Sequence, residues 1–526
     1  MLPQLLLVVA GLYLIHIWLN RKSSRLPLPP GPRPKPIIGN LDEMPWQGIP
    51  QWHHWLKHKK LYGPISSITV FGQPIIILND ARCAIEILKK RSATYSARPE
   101  QPFMEMTGWD KTMATPANTA HYNKMRKALH QEIGTKRAFS RFTVMMDIEI
   151  RRLLLRILEN PADFRKHLKR ESCAVILKMT YGYNVEPRGN DPLVELAEKA
   201  VDQICQAMLP GTWLVDYLPI LKYVPAWFPG AKFVRTAREF RKYAAFFLNV
   251  PYIFVKNRVA QGSYIPCYLS NRLQTCQGNP TEEEETVLRW SGLEFYLGGS
   301  DTTVSTMLSF ILAMSRHPEV QRKAQAEIDQ VIGTSRLPGY DDRDSLPYTN
   351  AVVKEALRWH PALPTASPHM SIKDDTYEGY YLPKGSVFIP NIWAYAHDPD
   401  VYNNPMEFKP ERFLPSEGQP PEADPYSIVF GFGRRACPGQ VMGDLKVYLT
   451  IARILACFNI TKKDDGQEEV ALEEAFIPAI LSHPKPFEVS ITPRSPEYEK
   501  LIRAVEVDAP WDRSHADEIR KIISQL

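Results

Sequence analysis

Cysteine is scarce in this chain and nowhere paired. Seven residues (Cys83, Cys173, Cys205, Cys267, Cys276, Cys437 and Cys457) are spread over 526 positions, an odd number with no C-x-x-C among them. That spacing argues against a disulfide framework and against zinc, and for a reducing compartment. Charge of one sign is scarce too: 64 lysines and arginines against 58 acids leave a formal +6 and a pI near 8.7. So mild an excess fits a basic face for an acidic partner or a membrane surface better than a nucleic-acid binder. A credible nucleotide fingerprint is also missing. Gly431-Phe-Gly433-Arg-Arg-Ala436 has the form G-x-G-x-x-A, but Cys437 interrupts it and a long helical run follows with no second strand. The βαβ context that such a fingerprint requires is therefore absent.

What is present begins with an apolar run. Residues 2–19 (LPQLLLVVAGLYLIHIWL) are broken only by Gln4 and His16. A helix there spans roughly 27 Å, close to the thickness of a bilayer core. Tyr13 and Trp18 suit the interface, and Arg21, Lys22 and Arg25 follow, which predicts a cytosolic remainder. A cleaved signal peptide would need positive charge before the run and a small-x-small site after it, and neither is there. Residues 1–20 are thus expected to be a transmembrane anchor and 21–36 a basic, proline-rich linker. One domain is expected over 37–494, followed by a charged tail, 495–526, to which no role is assigned. With 44% hydrophobic residues the chain has ample material for a large core, and 46 prolines predict many irregular connections.

Residues 65–79 alternate and then run apolar around Gly72-Gln73-Pro74, which predicts a β-hairpin. Helical patterning follows at 81–91 and through most of 140–260, apart from a proline-rich break at 210–229. Residues 377–390 read as two strands and a turn, and His53 and His54 as surface residues. The stretch 98–120 has no clear period; its Phe103, Met104, Met106 and Trp109 fit a pocket lining or plain core equally well. At 281–316, Thr281-Glu282-Glu283-Glu284 reads as a capping box opening a long apolar helix that Pro318 stops. In its middle stands Gly298-Gly299-Ser300-Asp301-Thr302-Thr303. Two glycines inside a helix cost about 1 kcal/mol each against alanine. They mark either a helix-packing notch or a local opening that leaves the Thr302 hydroxyl and Asp301 carboxylate available for proton transfer.

The most specific stretch is Phe430-Gly-Phe-Gly433-Arg-Arg435-Ala-Cys437-Pro-Gly439, ahead of an apolar helical run at 441–458. A lone cysteine is usually a small buried hydrophobe. Here it sits in a glycine-rich turn before a helix N-terminus, where a metal-binding thiolate is stabilised. Gly433 and Gly439 allow close approach to a flat ligand, Phe430 can pack on its face, and Arg435 can meet a peripheral carboxylate. The pattern F-x-x-G-x-R-x-C-x-G resembles the haem-binding loop of the cytochrome P-450 family. The Gly298–Thr303 stretch is similar to the family's oxygen-activation motif. Glu355-Ala-Leu-Arg358 and Phe408-Lys-Pro-Glu-Arg412-Phe413 resemble its E-x-x-R and PERF elements, and the whole resemblance spans roughly 27–492.

The resemblance, nearest to microsomal fungal members, implies a mainly α fold with a small β-rich lobe and haem b held between the Thr302 helix and the Cys437 loop. It implies that Cys437 ligates the iron, that Arg126 and His369 meet haem propionates, and that Glu355, Arg358 and Arg412 form a buried triad. It puts 361–368 beside the haem and 476–480 in a turn over the pocket. The implied activity is monooxygenation of a lipophilic small molecule, with electrons from NADPH through a membrane-bound reductase. It admits cytochrome b5 as a second donor and places a single-pass anchor in the endoplasmic reticulum membrane. Lys124, Lys127, Arg434 and Lys446 are expected on the docking face. A haem-thiolate isomerase, dehydratase or peroxygenase, or a haem-binding protein without activity, would not need the Asp301-Thr302 pair.

Overall fold

The computed structural model describes residues 26–45, 48–115, 120–209, 211–416, 418–463 and 471–526. The apolar run at 2–19 and its trailing basic residues lie outside the described residues. Among those described, no helix is long and apolar enough to cross a membrane.

Helices build most of the domain around one continuous apolar core. The expected capping box is present: Thr281 Oγ1 accepts the Glu284 backbone N–H, while the Glu284 carboxylate accepts from the Thr281 backbone. The helix Glu282–Gly299 ends at the glycine pair, and a second helix, Thr302–Arg316, continues after a break at Ser300 and Asp301. It crosses the core with Val304, Phe310, Ile311 and Met314 all buried, and stops at His317-Pro318. Neighbouring helices Phe164–Tyr181 and Gln440–Cys457 pack on it from two sides.

The β lobe is small. Strand β1 (Ile65–Val70) runs antiparallel to β2 (Gln73–Leu78). Phe71 and Gly72 between them both have positive φ (48° and 83°), the combination that a tight two-residue hairpin turn requires. Strand β3 (His369–Met370) completes the sheet at its far edge. The pieces β4 (Asp375–Tyr377) and β5 (Tyr380–Leu382) pair with each other, and β6 (Val387–Pro390) pairs with β2 and β3, giving the order β1-β2-β6-β3. The two strands expected within 377–390 therefore belong to different sheets. Finally β7 (Phe458–Lys462) pairs with β8 (Val489–Pro493).

Two terminal stretches are bound to the domain. In the proline-rich stretch read as a linker, Pro29 O accepts from Ser67 Oγ (2.5 Å) and Pro30 O from the Ser67 N–H (2.9 Å). Pro27 O accepts from the Tyr381 N–H at 2.8 Å, so from Pro27 onward the stretch is strapped along the lobe. The charged tail is likewise folded. Its helices Pro496–Arg503 and Ala516–Gln525 bury Ile502, Ile519 and Ile522 in the main core. Between them, Arg152 and Arg156 sit over the Trp511 ring at 4.3 and 4.8 Å. His53 and His54 are half-buried rather than on the surface, His53 edge-on to Trp393 and His54 bonded to Glu43 O.

Candidate active site

The glycine-rich loop folds back on itself. The Cys437 N–H donates to Phe430 O at 2.8 Å, which closes the loop and turns the sulfur outward at the foot of the helix Gln440–Cys457. Gly433 makes this possible. It has φ 54°, and a Cβ there would lie 2.5 Å from Leu88 O and 2.6 Å from Ser92 Cβ. Gly439 is different: its φ is −91°, and a Cβ there would make only ordinary contacts, 3.8 Å from the Cys437 sulfur. Though the sulfur is accessible from the cavities beside it, the apolar protein around it raises the Cys437 thiol above its ordinary value, while the Gly439 backbone N–H and the Arg126 charge pull it down.

Cys437 opens into two cavities, one of about 250 Å³ toward the helix Glu282–Gly299 and one of about 450 Å³ beside the helix Ala120–Ile133. Cys437, Pro438 and Arg126 line both. The walls of the first are largely apolar (Leu129, Ile133, Ile176, Phe430, Met442). Three guanidiniums, those of Arg98, Arg126 and Arg435, also line it. Arg126 Nη2 donates to Ala436 O (2.7 Å), and Arg435 Nε to Ser96 O (2.7 Å), with its guanidinium over the Tyr122 ring. Arg98 Nη1 reaches Ser367 O and Pro368 O, but its buried Nε has no partner among the described residues. Burial lowers the Arg98 pKa to about 9, helped by the like charges of Arg435 and Arg126. Such a largely buried cationic cluster suits the anionic groups of a bound ligand.

Across from the sulfur, Gly298, Gly299, Thr302 and Thr303 line the first cavity. The two glycines differ. A Cβ at Gly299 would collide with Ile176 Cδ1, so this glycine is a packing notch; a Cβ at Gly298 would meet nothing, and this glycine faces the cavity. Thr302 Oγ1 donates to Gly298 O at 2.8 Å across the break. Asp301 lies behind the cavity wall, its Oδ2 3.2 Å from His483 Nε2. Burial alone would raise the Asp301 carboxyl, but the His483 hydrogen bond and charge, with Lys169, hold it below its ordinary value. His483 is held in place because its neighbour Ser482 accepts from Ser305 Oγ (2.5 Å) through its carbonyl.

Away from the cavity lining, Glu355, Arg358 and Arg412 come together. Arg358 Nε and Nη2 grip the two Glu355 oxygens at 2.7 and 2.8 Å, and Arg412 Nε reaches Oε1 at 3.2 Å. Backbone groups satisfy the remainder: Arg358 Nη1 donates to Ala396 O and Pro405 O, and the Lys409 N–H donates to Glu355 Oε1.

Several expected residues stand elsewhere. His369 does not line the cavity; its Nδ1 is bonded to Tyr95 O at 2.7 Å, and burial, with the nearby Arg98 and Arg435, depresses its pKa strongly. Phe103, Met104 and Trp109 are core, and Arg98, Met113 and Ala114 are what that stretch contributes to the cavity. Phe476 stacks on His360 (3.4 Å between ring centres) and stays off the cavity wall. Lys446 is not on the surface: only 1% exposed, it is 3.0 Å from Glu171 Oε2 and donates to Ser172 Oγ at 2.7 Å. Arg98, Glu294 and His483 were not singled out from the sequence; each stands alone in its local stretch, and only the fold brings it to the site.

A family model described as cytochrome P450 matches residues 29–491. The chain belongs to the cytochrome P450 family. It is similar to cytochrome P450 monooxygenase ppsD of Aspergillus oryzae, 46% identical over 99% of both chains. It is also similar to O-methylsterigmatocystin oxidoreductase of Aspergillus flavus, 45% identical over 98% of this chain and 97% of that protein. Cytochrome P450 monooxygenase claR of Ampulloclitocybe clavipes is 44% identical, covering 96% and 93%.

This cytochrome P450 is a haem monooxygenase whose electrons derive from NADPH through a reductase. The residues fit haem b: a cysteine sulfur at the foot of an apolar cavity, and guanidiniums with an unpartnered donor for carboxylate groups. Haem bound through a cysteine thiolate supplies oxygen activation, the thiolate favouring O–O cleavage.

Proposed function

We propose that this P450 is an endoplasmic-reticulum-anchored monooxygenase that oxidises a lipophilic secondary metabolite, with Cys437 as axial ligand. Arg98, Arg126 and Arg435 bind the haem carboxylates, and Thr302 and Asp301 govern proton delivery. The observation that carries the reading is the placement of Thr302. Its hydroxyl is on the cavity wall at a helix break, with Asp301 directly behind it and paired to His483. That arrangement gives a route for protons from the His483 side into a water-poor site. A haem-thiolate isomerase or peroxygenase has no use for it.

The substrate class rests on the relatives, one of which is named for oxidising O-methylsterigmatocystin. The anchor rests on residues 2–19 and the basic residues behind them. Exposed Lys127 and Arg434, with Lys124, suit an acidic reductase and cytochrome b5 on the Cys437 side. The direct experiment is metabolite profiling of a deletion strain, then feeding the accumulated compound to the enzyme reconstituted with reductase and NADPH. Oxygen uptake that depends on reductase and substrate, with one oxygen atom gained by the product, is the expected result. Conversion without reductase or NADPH would replace the monooxygenase with an isomerase or peroxygenase. Removing residues 1–24 should release the protein from microsomes with haem binding intact.

A further inference from the structure

Two histidines and a carboxylate meet beside the β lobe, and none of the three lines the Cys437 cavities. His54 and His58 are four residues apart on the helix Gln51–Tyr62, a spacing that puts both rings on one face. Glu43 ends the short turn Leu41–Glu43 that follows the proline strap. One ring nitrogen from each histidine and one Glu43 oxygen lie within 4.8 Å of one another. Both rings are already anchored. His58 is buried, with its Nδ1 3.2 Å from Ser66 Oγ on β1, which leaves Nε2 for a ligand. His54 Nε2 is 2.7 Å from Glu43 O, so its ring is held against the residue that carries the carboxylate. Trp55 stands edge-on to both rings, at 4.7 and 5.3 Å. Burial holds both imidazoles below their ordinary value, His58 at about 4, so near pH 7 each is neutral and has a lone pair to give.

We propose that Glu43, His54 and His58 form a Zn2+ site that fastens the proline strap to the helix Gln51–Tyr62. Two imidazoles and a carboxylate are the ligand set of an open zinc site, completed by a water, whereas calcium and magnesium want oxygens alone. The cysteine spacing argues only against a zinc site built on thiolates, and this set uses none. Zinc at about 2.0–2.2 Å from each ligand sets the ligands roughly 3.4 Å apart, so the cluster closes by up to about 1.4 Å on binding. Glu43 and His54 are half-buried and make that movement; His58, held by burial and by Ser66, is the fixed point. Closure draws the turn Leu41–Glu43 onto the helix, and with it the strap, whose Asn40 Oδ1 accepts the Thr69 N–H at 2.9 Å. The ion therefore has a positional role apart from the haem chemistry.

The test uses the full-length, haem-loaded protein without a polyhistidine tag, dialysed against buffered Zn2+, with bound zinc measured by atomic absorption. One zinc per chain is expected. X-ray absorption at the zinc edge, where haem iron does not contribute, should show two imidazoles, oxygen and no sulfur. Losing even an outer partner of a metal ligand costs about 10–100-fold in affinity, so Glu43→Gln or His54→Gln should weaken zinc by roughly 100-fold or more. His53→Gln, one residue away and edge-on to Trp393 in the wild type, should leave the affinity unchanged. Saturating zinc should raise the thermal midpoint of the wild type and leave that of Glu43→Gln where it was. Glu43 and His54 are partly exposed, and an unchanged haem spectrum in each variant reports that it folds. No stoichiometric zinc in the wild type, wild-type affinity in both Glu43→Gln and His54→Gln, or sulfur in the zinc shell would overturn the proposal.

Discussion

His483 Nε2 stands 3.2 Å from Asp301 Oδ2, joining residues 182 positions apart just behind the cavity wall that carries Thr302. The pair helps set the Asp301 charge, since burial raises the carboxyl and His483, together with Lys169, more than offsets it. A carboxyl depressed in the folded state contributes stability above its ordinary value of 3.8, lost as pH falls through the folded value. Across neutral pH Asp301 therefore stays ionised.

Replacing the partner should change this. In His483→Phe, burial is opposed by Lys169 alone, so the Asp301 carboxyl rises and titrates at higher pH. The yield of product per NADPH, measured from about pH 5 to 8, should then fall on the acid side, where wild type holds steady. In an Asp301→Asn background the same substitution should have little further effect, because the two residues act as one unit. A His483→Phe profile that overlays the wild type's would show that the pair is only structural.

Cys437→Ser should abolish the strongly red-shifted Soret band of the reduced carbon monoxide complex. The loop closure through Cys437 N–H and Phe430 O uses backbone only and survives the change. Loss of the band therefore reports the sulfur, not the loop. Persistence of the band would remove Cys437 as axial ligand.

The Glu355 network should be needed for folding and haem retention rather than for any reacting group. Glu355 and Arg358 are 0% exposed, so removing the carboxylate leaves the Arg358 guanidinium without its counter-charge and Arg412 with Glu422 alone. Glu355→Ala should cost about 3–5 kcal/mol in denaturant unfolding, with haem lost early in the transition. A loss below about 1 kcal/mol would reduce the network to an ordinary surface-like pair.

Basic residues on the Cys437 side should divide by burial. Charge reversal at exposed Lys127 and Arg434 should slow first-electron transfer, an effect that fades as ionic strength rises. Lys446→Met should instead destabilise the fold, because it strands buried Glu171. Adding Glu171→Gln should recover much of that stability. A Lys446→Met protein of wild-type stability but slower electron transfer would return this lysine to the docking face.

How far the sequence could be read follows from how local each feature is. The Cys437 loop, the glycine break and the Glu355–Arg358 pair are written in contiguous residues, and the structure brings each together. Lys446 was misplaced because its partners, Glu171 and Ser172, come from a helix some 270 residues earlier. Arg98, Glu294 and His483 had no local signature; Arg98, for instance, acquires its surroundings from Ser367 and Pro368. The tail did carry a signal, since Tyr498 and Ile502, then Ile519 and Ile522, recur at helical spacing and are all buried.

Thr302 should matter for how electrons are used, not for whether they arrive. Its side chain is on the cavity wall, and its hydroxyl donates to Gly298 O at 2.8 Å, which leaves the oxygen lone pairs free to accept from a water in the cavity. On the proton route proposed above, such a water is replenished from the His483 side through ionised Asp301. Thr302→Ala removes this holding point but keeps the helix, alanine being the best helix former, and forfeits only about 1 kcal/mol for the Gly298 bond. Haem content, substrate binding and NADPH consumption should therefore survive. General acid–base assistance is typically worth about 10²–10⁴ in rate. Product per NADPH should accordingly fall steeply, with hydrogen peroxide accounting for the missing electrons. Thr302→Ser restores a hydroxyl at the same position and should recover most of the coupling. An alanine variant with wild-type product yield and no excess peroxide would remove proton delivery from this helix, and would move the peroxygenase or isomerase reading ahead.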